Sequence, residues 1–194
     1  MGTIKTTNIE TITGSGTLTL GQSGETVSVP SGATLDLSNA TQTGVGGTMT
    51  PAFHAYLSSN QSVSSATFTK AQINTEVYDT DGAYDNSTNY RFTPQTAGKY
   101  FFYGMVFIDG ASSGGTTGQL ITEIRKNGSS AAYSNINIYN YTNGADGALN
   151  VFNLIDMNGS SDYVELWSYN RNSGTNNFIA GIQNTFFGGY KIIE

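Results

Sequence analysis

Few residues in this chain are equipped for chemistry. Cysteine is absent and His54 is the single histidine among 194 residues. One chain therefore assembles no thiol nucleophile, thiolate metal site or His-centred triad. The densest set of oxygen donors is Asp79-Thr80-Asp81-Gly82-Ala83-Tyr84-Asp85. Calcium favours several carboxylate oxygens on a loop turned sharply by glycine. Asp79, Asp81 and Asp85 supply those parts, so a calcium site is one expectation and a solvated acidic loop is the other. The later bidentate glutamate and flanking helices of an EF-hand are missing. Three copies of His54 meeting on a threefold axis could ligate a metal; a packed strand residue is the alternative. No carboxylate pair stands out for glycoside hydrolysis. We expect no enzyme.

The rest of the composition narrows the class. Eight basic residues face fourteen acidic ones, a net charge of -6, without a Lys/Arg run to grip phosphates, which argues against nucleic acid. Charged residues make up 11% of the chain while glycine alone numbers 24, so solubility must come from neutral polar groups, as on a β-rich extracellular surface. No stretch approaches the ~20 apolar residues that span a bilayer, and the opening Met1-Gly2-Thr3-Ile4-Lys5-Thr6 lacks the apolar core of a secretory signal. Membrane insertion is not expected. The same six residues fit a myristoylation pattern, and Asn60-Gln61-Ser62 and Asn86-Ser87-Thr88 a glycosylation pattern; we read both as products of composition.

Two regions divide the chain. Residues 1–48 hold no aromatic residue and end in the Gly-rich joint Thr43-Gly44-Val45-Gly46-Gly47-Thr48. Within them Ser23-Gly24-Glu25-Thr26-Val27-Ser28-Val29 is followed at a spacing of eight by Ser31-Gly32-Ala33-Thr34-Leu35-Asp36-Leu37, and Ser15-Gly16-Thr17-Leu18-Thr19-Leu20 is a shortened copy. Each unit reads as a turn followed by a very short strand with one apolar face. One such strand cannot hide that face alone, so we expect a β-repeat stem shared among several chains, with a disordered leader as the alternative.

Residues 49–194 read as successive strands with no helical period, an antiparallel sandwich or jelly roll. Asn127-Gly128 and Asn158-Gly159 each sit between alternating runs, so both predict tight hairpins. The most informative run is 99–108. Tyr100, Phe102, Val106 and Ile108 share one face, and Phe101, Tyr103, Met105 and Phe107 share the other. Both faces are apolar. The closing run repeats the pattern with Phe186 and Tyr190 against Phe187 and Ile193, and Tyr163, Trp167 and Tyr169 oppose Val164 and Leu166. A sandwich strand normally shows water one face, so these strands need a second cover. We expect a homo-oligomer buried through Phe101, Tyr103, Met105, Phe107 and Phe187. Loops folded over those faces are the alternative.

The head resembles the globular domain of complement component one, subcomponent q, a jelly roll related to the tumour-necrosis-factor fold. Phe68, Asn74, Tyr84, Phe92, Gly98, Tyr100 and Phe102 follow that family's pattern in order, and Phe186 and Gly188 fall in its closing strand. Pro51-Ala52-Phe53-His54-Ala55 resembles its opening strand, and Leu154 to Leu166 its late hairpin. Asn74 to Tyr84 is longer than the pattern, and Gly104 stands where its last aromatic is usual. The resemblance implies a homotrimer. No collagen period precedes the head; the Ser-Gly-x-Thr repeats resemble those of bacteriophage tail fibres, which are also trimeric.

Together these readings predict a trimeric structural or attachment protein. We expect it in a virion, as a tail or capsid appendage, with other virion proteins held through the stem and a host surface glycan or protein met by the head. A secreted or surface lectin-like module of bacteria is the alternative, and a glycan-cleaving appendage is a remote third. Asp109 to Gly118, Ser134 to Gly147 and Asn170 to Asn177 are rich in Gly, Ser, Thr, Asn and Tyr, which suits either glycan recognition or plain connection.

Overall fold

The computed structural model describes Thr19 and residues 23–36, 49–112, 118–138, 145–171 and 175–192. The chain divides into two units, Met1–Val45 and Gly46–Glu194. In the first, Gly24 and Gly32 take positive φ at the two Ser-Gly turns, and Ala33 N–H donates to the carbonyl of Pro30 at 3.0 Å. Val27, Val29 and Leu35 are exposed and no strand is assigned among the described stem residues. The short strands expected of these units are not seen among the described stem residues. The copy at Ser15–Leu20, apart from Thr19, and the joint at 43–48 lie outside the described residues.

The second unit is all-β, with 13 strands in two antiparallel sheets and no helix among the described residues. Its first six strands are β1 (Ala52–Tyr56), β2 (Gln61–Ser64), β3 (Thr69–Lys70), β4 (Thr75–Asp79), β5 (Tyr84–Asp85) and β6 (Arg91–Phe92). The long ones follow: β7 (Ala97–Ser112), β8 (Gly118–Lys126), β9 (Ser129–Ile138), β10 (Ala145–Asn158) and β11 (Val164–Arg171). β12 (Thr175–Phe178) and β13 (Phe186–Lys191) close the fold. Sheet A runs β2-β12-β7-β13-β1-β4 with β10 on the other edge of β7; sheet B runs β5-β6-β11-β8-β9 with β3 also on β11. This is the expected jelly-roll sandwich.

β7, rich in aromatic and β-branched residues, is an interior strand of sheet A, paired with β10 on one edge and with β13 and β12 on the other. Its Tyr100, Phe102, Val106 and Ile108 are fully buried between the sheets, as the alternation predicts. They meet Leu120 and Ile124 of β8 and Val164 and Leu166 of β11 in one core. At its centre Phe53 stacks on Phe92 at 4.4 Å and on Tyr84 at 4.8 Å, with Phe187 edge-on at 5.2 Å. The Tyr84 hydroxyl donates to the carbonyl of Ile73 at 3.0 Å, so the buried phenol keeps a partner, and burial pushes its pKa well up.

Two features depart from the sequence reading, and a third accounts for a residue it noted. Asn127-Gly128 makes the β8–β9 hairpin with both residues at positive φ, but Asn158-Gly159 does not join paired strands. β10 pairs with β7 in sheet A and β11 with β8 in sheet B, so that turn crosses the sandwich. Asn158 Oδ1 holds it by accepting from the backbone N–H groups of Ser160, Ser161 and Asp162, each at 3.0 Å. Next, Phe187 is 0% exposed and belongs to the core, not to an outer interface. A Phe-Phe pair on a strand must split between faces, and its register with Gly104 turns Phe187 inward. Finally, a Cβ at Gly104 would lie 2.8 Å from Leu166 Cδ1. Leu166 packs against the bare backbone of Gly104 and leaves no room there for a larger side chain.

Candidate functional site

Residues opposite each other on adjacent strands share a face. On the outward side of sheet A, Phe101, Tyr103 and Met105 of β7 lie beside Leu154, Phe152 and Asn150 of β10 on one edge. Tyr190, Gly188 and Phe186 of β13 flank the same three residues on the other edge. β1 adds His54 and Tyr56, and β4 adds Tyr78 opposite His54. Ring centroids follow one another across the strands: Phe152 to Phe101 at 6.2 Å, Phe101 to Tyr190 at 5.7 Å, Tyr103 to Phe186 at 6.3 Å and Phe186 to His54 at 5.6 Å. Gly188 makes this possible, because a Cβ there would sit 2.5 Å from the Tyr103 ring.

Of the expected interface residues, this face brings together Phe101, Tyr103, Met105 and, through its register with Ala148, Phe107. Sequence reading missed the contribution of β10, where Phe152 is 67% and Leu154 57% exposed in the protomer. The signal was present as the alternation of Val151, Ile155 and Met157, all buried, with Phe152, Leu154 and Asp156. Covering one such side chain is worth about 1.5–3 kcal/mol, so the face is poorly matched to water.

The outward side of sheet B handles its aromatics differently. Arg125 lies over Trp167 at 4.2 Å and over Phe68 at 4.9 Å, Lys70 over Trp167 at 5.9 Å, and Arg91 over Tyr163 at 4.4 Å. Phe68 packs on Tyr169 at 5.0 Å. Glu165 accepts from Lys70 at 2.8 Å and from Trp167 Nε1 at 2.9 Å, and Glu123 pairs with Arg125. The second cover expected for β11 is therefore supplied by long cationic side chains of the same chain. On the sheet A face no cation stacks on a ring among the described residues.

His54 lies within the aromatic face, its Nδ1 3.2 Å from the Tyr103 hydroxyl. Burial lowers the His54 pKa and raises that of Tyr103, with Tyr78 beside it reinforcing the latter. Both causes favour a neutral pair in which the phenol donates to an unprotonated Nδ1.

The acidic loop is organised by its own chain. Asp79 Oδ2 accepts from Tyr84 N–H at 2.7 Å, and Asp81 Oδ1 accepts from the Thr80 hydroxyl at 2.6 Å. Asp85 turns the other way and accepts from the backbone of Ser87, Thr88 and Asn89. Among the described residues no group of three His, Cys, Asp or Glu side chains could hold a metal, so Asp79, Asp81 and Asp85 do not form the expected calcium set. The physical reason is that each carboxylate serves its own local partners, turn N–H groups for Asp79 and Asp85 and the Thr80 hydroxyl for Asp81. Those bonds, first Thr88 and then Ser87, hold the Asp85 carboxyl far below its ordinary value. A depressed carboxyl stabilises the fold above the unfolded-state pKa of about 3.9 and loses that contribution as pH falls through the folded value. Asp85→Asn is expected to flatten the loss of Tm between pH 5 and pH 2 relative to the parent, as read by circular dichroism melts.

Of the motif residues carried by the resemblance, Tyr84, Phe92, Tyr100 and Phe102 are core, while Phe68 is exposed on sheet B and Phe186 faces outward on sheet A. Asn74 accepts from Ser58 N–H at 2.9 Å, tying the segment after β1 to the start of β4. Gly98 takes φ +143 at the start of β7. Parts of the three Gly/Ser/Asn-rich loops (113–117, 139–144 and 172–174) lie outside the described residues.

The fold defined by these two sheets is that of the complement and tumour-necrosis-factor jelly rolls. It is similar to the globular domain of zebrafish complement 1qA protein, at 14% identity and a TM-score of 0.50, covering 74% of this chain and 98% of that one. It is also similar to murine APRIL, at 12% identity and a TM-score of 0.50, over 73% of this chain and 98% of that one. No protein-family model and no curated protein matches the sequence.

Proposed function

We propose that the protein is a non-enzymatic, homotrimeric attachment module whose jelly-roll head binds a surface molecule. The observation that carries this reading is the outward aromatic side of sheet A, which runs from the exposed Phe152 across the half-buried Phe101 and Tyr103 to Phe186 and His54. A soluble chain rarely leaves such a patch to water, and a closed set of copies covers it without leaving a growing end. The fold and the resemblance of the head to trimeric domains support a threefold arrangement. Three linked heads also compensate weak single-site affinity.

The finer reading is a virion appendage of a bacteriophage, with the stem joining it to other virion proteins. Its support is the eight-residue spacing of Ser-Gly turns followed by exposed Val27, Val29 and Leu35, which gain cover when several chains wind together. Light scattering on the full chain is expected to give a mass of three 20.6-kDa subunits at micromolar concentration. A stable, folded single subunit would overturn the assembly. Binding of the purified protein to candidate bacterial cells and to their isolated surface polysaccharides tests the attachment role; no retention on any host that the neighbouring genes implicate counts against it.

A further inference from the structure

Four cations of the head have carboxylate partners: Lys70 with Glu165, Lys99 with Asp156, Arg125 with Glu123 and Lys126 with Asp162. Arg91 is placed to have one as well, because it stands directly opposite Asp85 in the β5–β6 pair. Asp85 is occupied elsewhere. Its two oxygens take five hydrogen bonds, from the N–H groups of Ser87, Thr88 and Asn89, the Ser87 hydroxyl and the Asn89 side-chain amide. The guanidinium instead lies 4.4 Å from the centre of the Tyr163 ring, which orients it. It lines an open cavity of about 300 Å³ together with Asn89, Thr93, Gln95 and the hydrogen-bonded Asp85 as polar wall, and Gly82, Ala83 and Tyr84.

The acceptor on the protein side is thus saturated while the strongest donor is open, so a complementary ligand brings the acceptor. Arginine's planar fork matches a carboxylate, and the short neutral side chains beside it match hydroxyls. The volume suits one sugar ring with its substituents rather than a chain of them. Asp85 in the wall, Asp79 and Asp81 on the adjoining loop and a net charge of -6 disfavour polyanions, which leaves a ligand whose single negative charge Arg91 can take. We propose that this cavity binds the carboxylate-bearing sugar of an acidic glycan through Arg91. The inference rests on the binding role proposed above and names its ligand class. All the residues involved belong to one protomer.

Isothermal titration of the full chain with glucuronate and with N-acetylneuraminate tests it, with glucose and acetate as controls. At least one sugar acid is expected to bind about tenfold or more tightly than either control, and Arg91→Ala to weaken it by about tenfold to a hundredfold, the range for a charge-assisted hydrogen bond. Should Arg91→Ala fold poorly, Gln95→Glu on the exposed rim is expected to weaken the sugar acid at unchanged Tm, by placing a like charge beside it. Equal affinity for glucose, acetate binding as tightly as the sugar acid, no binding of either acid, or affinity unmoved by both variants would each overturn the site. Sedimentation of the same samples reports assembly separately, so an intact trimer that ignores sugar acids sinks this site alone. Monomers that bind them sink the assembly alone.

Discussion

Phe152→Asp is expected to turn the proposed trimer into folded single subunits. The side chain is 67% exposed in the protomer and lies on β10 at the edge of the aromatic face, so the substitution removes little from the fold itself. In the assembly the same position loses about 1.5–3 kcal/mol of apolar burial per copy and acquires a carboxylate to desolvate without a partner. Summed over three copies the burial loss alone lowers the association constant by at least roughly a thousandfold. Sedimentation velocity should show one species of 20.6 kDa with an unchanged far-ultraviolet spectrum. Tyr103→Lys and Phe107→Lys act on the same face through β7. A trimer that survives all three changes places the interface elsewhere.

Phe53→Ala should act on folding instead. Phe53 is completely buried in β1 and is the ring on which Phe92, Tyr84 and Phe187 converge. Removing it leaves a cavity spanning both sheets, at a cost of about 3–5 kcal/mol. That is a large fraction of the roughly 5–15 kcal/mol that holds a typical domain. At about 2–4 °C per kcal/mol for a domain of this size, Tm falls by roughly 6–20 °C. A calorimetric Tm within about 2 °C of the parent would mean that the core closes over the missing ring and that Phe53 is not its keystone.

The contrast between these two residues shows what the chain discloses before it folds. β7 was legible as a strand because the run 99–108 carries apolar side chains on both faces, and of its two sets Tyr100, Phe102, Val106 and Ile108 is the one fully buried. The β8–β9 hairpin was legible because Asn127-Gly128 carries its own backbone geometry. Asn158-Gly159 carries the same two residues, yet the partner strands are chosen by sheet pairing far along the chain, which no local signal encodes. Phe187 was misplaced for a similar reason: with apolar residues on both faces, alternation gives the period and not the sign. The cover over Trp167 and Tyr169 was invisible, since Lys70, Arg125 and Phe68 reach it from distant strands. Arg91 was hidden further still, because β5 and β6 hold two residues each and give no period at all.

The cations laid over the rings of sheet B carry a consequence for crowding. A head with grease on both broad sides would stack indefinitely, whereas one whose second side is shielded by its own arginines and lysines can cluster only until the bare side is used up. Densely displayed copies would then stay dispersed, neighbour beside neighbour, without gluing one display to the next.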